Sequence, residues 1–86
     1  MPEPAAYGSH LSLDTAAFIA GLPKRKQRTV LDLTEQIARQ PFRIGDYQAT
    51  DSAGRTVENL LLHGFLFTYW VDHAAREVRI AEILKV

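Results

Sequence analysis

The chain has 86 residues, 47% of them hydrophobic and 23% charged, the range of a single ordinary folded domain with a thin core. Ten Lys and Arg balance ten Asp and Glu, so a grip on nucleic acid requires positive charge gathered on one face. There is no cysteine, which excludes disulfides, thiolate metal sites and cysteine nucleophiles and favours a cytoplasmic home.

No apolar run is long enough to span a bilayer, since His63, Gly64 and Asp72 interrupt the most apolar stretches. Met1-Pro2-Glu3-Pro4 lacks the basic and apolar regions of a signal peptide. Residues 1–6 read as a flexible leader and residues 7–86 as the domain.

From Tyr7 to Leu13 the side chains alternate, with Tyr7, Ser9, Leu11 and Leu13 on one side, which predicts a half-buried strand. Asp14 is placed to cap a short helix over residues 15–20, and Gly21 to terminate it in a left-handed conformation. A second helix starts at Pro23 or Lys24 and runs to about Gln40, where Pro41 stops it. Its stripe of Val30, Leu33, Thr34, Ile37 and Ala38 faces the core, with Leu31 at the edge.

Beyond Pro41 the pattern turns to strands. Residues 42–49 form a weak strand, Asp51-Ser52-Ala53-Gly54 a turn, and residues 56–63 a strand broken by Gly64. Phe65 to Val71, rich in aromatic and β-branched residues, reads as a central strand. Asp72-His73-Ala74-Ala75 turns the chain into a last strand over residues 77–84. The fold class is α+β, with two N-terminal helices packed on an antiparallel sheet in the order β-α-α-β-β-β(β).

Phe65, Phe67, Tyr69 and Val71 share one face of the central strand, where core packing accounts for them. Leu66, Thr68 and Trp70 point the other way, making that second face unusually apolar and implying a cover: a partner chain or a second copy. Lys24, Arg25, Lys26 and Arg28 form the one concentrated basic patch. It opposes the helix dipole and reads either as a solvated helix start or as a contact for nucleic acid or an acidic segment. Arg43, Arg55 and Arg79 extend the positive surface, unless Arg79 is paired with Glu77 or Glu82. Of three scattered histidines, His63 is the candidate acid or base, since histidine titrates nearest neutrality; a turn histidine is the plainer reading. His10 reads as a solvent-side strand residue and His73 as a structural one. The spacing makes no metal signature, and neither a metal nor a cofactor is expected.

Leu22-Pro23-Lys24-Arg25, Gly45-Asp46-Tyr47 with Asp51 and Gly54-Arg55, Tyr69-Trp70-Val71-Asp72-His73 and Glu77-Val78-Arg79-Ile80 together resemble the RelE/ParE superfamily of type II toxins, from Tyr7 to Leu84. The resemblance implies a two-helix, one-sheet fold with a concave target-binding face and a cognate antitoxin as partner. It also implies one of two actions: ribosome-dependent cleavage of mRNA, or inhibition of DNA gyrase without hydrolysis. Fold alone does not choose between them.

Family nucleases use basic residues around the Gly-aromatic hairpin and a basic, aromatic tail. Here Leu66 stands where they typically carry arginine, residues 57–63 lack the lysines, and Leu84-Lys85-Val86 leaves no room for the tail. A reduced catalytic set would be His63, Arg55 and Lys85. Binding is the leading expectation, through Lys24, Arg25, Lys26, Arg28, Arg79, Leu66 and Trp70. A toxin of plasmid-stabilisation type, an mRNA interferase, and a non-toxic interaction protein or homodimer are the readings to separate.

Overall fold

The computed structural model describes residues 6–86, so the expected leader lies almost wholly outside the described residues. The elements follow as β1 (Gly8–Leu11), α1 (Leu13–Ala20), α2 (Lys24–Arg39), β2 (Tyr47–Thr50), β3 (Thr56–Leu62), β4 (Phe65–Asp72) and β5 (Glu77–Lys85). They build one five-stranded sheet in the order β1-β5-β4-β3-β2, with β4 at its centre. β2 to β5 are antiparallel neighbours, but β1 pairs with β5 in parallel. The sheet is therefore mixed rather than wholly antiparallel; side-chain alternation has the same period in either direction and cannot report strand polarity.

α1 begins earlier than Asp14. Ser12 is the N-cap, its hydroxyl oxygen accepting from the Thr15 N–H at 3.1 Å. Ser12 also donates from its backbone N–H to the Ile80 carbonyl at 3.1 Å and from its hydroxyl to the Ala81 carbonyl at 2.9 Å. The cap thus fastens α1 to β5. Leu13 falls in the first helical turn, 88% exposed, rather than continuing the strand. Gly21 closes α1 with φ −81°, in the right-handed region and not the left-handed one. A left-handed glycine is unnecessary because the chain starts α2 three residues later, with the Gln27 amide donating to the Leu22 carbonyl at 2.8 Å.

The contact point on β5 is a bulge. Thr68 pairs with Glu82 and Tyr69 with Ile80, so Ala81 has no partner. The extra residue moves the buried phase of β5 from Val78 and Ile80 to Ile83. α2 buries Val30, Leu33, Thr34, Ile37 and Ala38, and Ile19 joins from α1. These pack on Leu60, Phe65, Phe67, Tyr69, Val78, Ile80 and Ile83, forming the core on one side of the sheet.

Residues 42–46 are loop rather than strand, and the edge strand starts only at Tyr47. Side-chain carboxylates take over there. Glu58 accepts from the Gly45 N–H at 2.7 Å and the Gln48 amide at 2.8 Å, while Asp46 accepts from the Leu61 N–H at 2.7 Å. Gly45 is required by contact: a Cβ there would stand 2.7 Å from the Asn59 carbonyl oxygen. Between β3 and β4, His63 (φ 50°) and Gly64 (φ 79°) make a two-residue turn with positive φ at both positions, the twist that suits a tight hairpin.

Candidate functional site

Both helices lie on one face of the sheet, and no described residue forms a second layer on the other. That outer face is set by register. At the β3–β4 hairpin end, Leu61 pairs with Leu66 and Leu66 with Leu84, a row of three leucines across three strands. Midway, Tyr47 pairs with Asn59 and Asn59 with Thr68. At the far end, Trp70 pairs with Arg79 and Arg79 with His10.

Tyr47, Leu61 and Leu84 are 54%, 52% and 47% exposed, while Leu66, Thr68 and Trp70 are half-buried by their neighbours. Asn59 is buried although it lies on this open face, and its side-chain oxygen accepts from the Thr68 hydroxyl at 2.7 Å. Its polarity is thus spent inside the protein, leaving an apolar surface above it.

Trp70 is held between two cations. The Arg55 guanidinium lies 4.2 Å from the ring centroid and that of Arg79 5.6 Å, an arrangement worth about 0.5–1 kcal/mol per contact at exposed sites. Each arginine is itself anchored: Arg55 Nε to Asp51 at 2.8 Å, and Arg79 to Glu77 at 3.5 Å and Asp72 at 3.8 Å. Three carboxylates against two guanidinium groups leave this end of the face without a positive surplus. The cluster fixes a flat aromatic surface; it does not advertise a phosphate site. Asp51 is tied most strongly by the Arg55 N–H at 2.9 Å and next by the Arg55 side chain, and these bonds hold its carboxyl below the usual carboxylate range.

The structure brings Arg55, Trp70 and Arg79 together and sets Leu66 on the same face. It does not bring together the proposed catalytic set. His63 occupies the β3–β4 turn, and Lys85 lies at the same end, where the Val86 N–H donates to the Gly64 carbonyl at 2.9 Å. Arg55 stands at the other end of β3, roughly 25 Å away by the rise of a strand. Lys85 also pairs with Phe65, a core-face residue.

Lys24, Arg25, Lys26 and Arg28 form a separate exposed group on α2, on the helical side. His73 is exposed, stacked on the likewise exposed Phe42 at 5.0 Å with its Nδ1 2.8 Å from the Tyr7 hydroxyl. His10 joins the outer face 3.7 Å from Glu77. Sequence reading missed Tyr47, Leu61, Leu84 and His10 as members of this face. Leu61 and Leu84 carried a signal: both stand one residue from a core position in a strand pattern. Among the described residues no three His, Asp or Glu side chains gather as metal ligands, and no helix is long and apolar enough to cross a membrane.

No protein-family model matches the chain, and no curated protein matches it in sequence. Solved structures do. The toxin–antitoxin complex RelBE2 of Mycobacterium tuberculosis contains a chain that superposes with a TM-score of 0.78 at 16% identity, covering 95% of this chain and all of that one. A chain of the archaeal RelE–RelB complex of Pyrococcus horikoshii OT3 gives 0.71 at 13% identity, covering 94% and 96%. The fold is RelE-like.

Proposed function

We propose that this RelE-like chain is the toxin component of a toxin–antitoxin pair, working in the cytoplasm by macromolecular binding and held inactive by a cognate antitoxin. One observation carries the reading: the outer sheet face, with its leucine row and clamped tryptophan, is left uncovered by the chain's own helices. The two solved structures named above are both complexes with a partner. A face centred on Trp, Tyr and Leu with Arg alongside has the composition of a protein contact, where such anchors dominate the binding energy.

Binding is favoured over cleavage. A nuclease centre needs a base, an acid and cations converging on one phosphate, whereas Arg55 is committed to Asp51 and Trp70 at the end of β3 remote from His63 and Lys85. Gyrase inhibition or occupation of the ribosome without hydrolysis both fit this mode.

Expression with and without the product of the neighbouring reading frame tests the proposal. Growth arrest relieved by that product, with the two proteins copurifying, is the expected result. Following mRNA integrity and DNA supercoiling during arrest separates the targets. Unaffected growth with no copurifying partner would overturn the proposal.

A further inference from the structure

A cleft of about 260 Å³ lies between the loop that follows α2 and the ends of β3 and β4. Pro41 to Ile44 line one side of it, Glu58 on β3 and Val71 on β4 another, and His73 stands at its end. Glu58 pairs with Tyr69, a core residue, so the cleft belongs to the helical side of the sheet, away from the leucine row. Its loop wall is held at two points. The Gly45 N–H donates to Glu58 at 2.7 Å, and the Phe42 ring is stacked on His73 at 5.0 Å.

Two opposite charges line this cleft without meeting. The Glu58 carboxylate accepts from the Gly45 N–H and, at 2.8 Å, from the Gln48 amide, which leaves about two of its four acceptor positions open. The ion pairs among the described residues engage neither Glu58 nor Arg43, although both line the same volume. The apolar side chains of Phe42, Ile44 and Val71 stand around them. Tyr69 adds a third unmet group. It is fully buried, it sits opposite Glu58 in the sheet, and its hydroxyl has no partner, a rare condition for a buried polar atom. Beyond burial itself, the charges that act on it most are those of Glu58 and Arg43. The orphan hydroxyl therefore stands beside the same two charges.

We propose that this cleft binds a free α-amino acid with an apolar side chain. The ammonium group goes to Glu58, the carboxylate to Arg43, and the side chain against Phe42, Ile44 and Val71. A lone amine would meet the Arg43 cation unbalanced, and a lone carboxylate the Glu58 anion; a zwitterion answers both at once. Size agrees. Pockets for drug-sized ligands run from about 300 to 1,000 Å³, so this smaller volume suits a molecule with one short side chain and not a nucleotide. The inference goes beyond the toxin–antitoxin reading and does not depend on it, because the cleft and the open sheet face lie on opposite sides of the sheet.

The test is a titration of the purified, ¹⁵N-labelled chain with L-leucine and L-phenylalanine, followed by amide chemical shifts. L-leucinamide and N-acetyl-L-leucine, which resemble the two ends of a peptide and lack one charge each, are titrated beside them. Leucine and phenylalanine are expected to give saturable shifts centred on Gly45, Glu58, Val71 and His73, with millimolar or tighter dissociation constants. The two analogues bind about ten-fold or more weakly, the loss of one charge-assisted hydrogen bond. Arg43→Gln erases the preference for leucine over leucinamide and keeps that over N-acetylleucine. Glu58→Gln, whose amide oxygen still accepts from the Gly45 N–H, does the reverse. Glu82→Gln on β5, outside the cleft, leaves leucine binding unchanged. Absence of saturable shifts, shifts centred away from the cleft, or equal or tighter binding of either analogue by the native chain would overturn the proposal. Unaltered preferences in both charge variants would do the same.

Discussion

Gly45 shows how a single position can be fixed by a neighbour's backbone rather than by its own preferences. Its missing Cβ leaves room for the Asn59 carbonyl, and backbone cannot swing aside as a side chain can. Gly45→Ala is expected to lose about 1–3 kcal/mol of stability, the usual cost of overpacking, as read by urea denaturation. Tyr69 presents the opposite case. It is fully buried and its hydroxyl has no partner. Burial first, and then the charge of Glu58, push its ionisation above the ordinary tyrosine value of 10.0. The folded state therefore holds this proton more tightly than the unfolded state, so its contribution to stability is complete below the ordinary value and is lost as pH rises through the raised one. Tyr69→Phe should remove this alkaline loss and leave stability at neutral pH equal or higher, because an unsatisfied buried hydroxyl is deleted; thermal melts at neutral and alkaline pH decide. His63 owes its positive φ to the two-residue turn, so a turn requirement, rather than catalysis, accounts for its conformation.

At the scale of elements, the helices and central strands were legible because burial imposes a period: the α2 stripe matches the buried set residue for residue, and the strand richest in aromatics is the middle one. What the sequence concealed was non-local. The parallel pairing of β1 with β5, the capping of α1 by Ser12 rather than Asp14, and the bulge at Ala81 all meet where β1 leads into α1 beside β5. The bulge left one trace, the three-residue step from Ile80 to Ile83 in a strand of otherwise two-residue steps. The candidate face was half legible: Leu66 and Trp70 could be assigned from alternation, but the leucine row and the Arg55–Trp70–Arg79 stack exist only through strand register. The β2–β3 turn depends on Asp51, whose carboxylate accepts from the Ala53 and Arg55 N–H groups at 2.9 Å. Because folding lowers its pKa, its support is present above the ordinary carboxylate range and is lost as pH falls through the lowered value. Faster amide exchange at Ala53 and Arg55 on acidification is expected; Asp51→Asn, whose side-chain oxygen still accepts, should make exchange there nearly independent of that titration, and Asp51→Ala should make it fast.

For the whole molecule, two surfaces differ in chemistry. The start of α2 displays four exposed cations that enter no ion pair among the described residues, and the open sheet face carries apolar and aromatic area beside arginines paired with carboxylates. In the proposed pair the sheet face receives the antitoxin, and Trp70 is its anchor. Trp70→Ala should leave the fold intact, since the residue is outside the core cluster, while weakening antitoxin binding by about 30-fold or more, the 2 kcal/mol expected of a hot spot. Trp70 is also the only tryptophan in the chain, so its emission reports this face alone. The most direct measurement is therefore a titration of the purified chain with a tryptophan-free antitoxin, following Trp70 fluorescence while complex formation is monitored independently. A saturable blue shift that tracks complex formation is the expected result; a complex that forms without altering the Trp70 emission would contradict the placement of the antitoxin on this face.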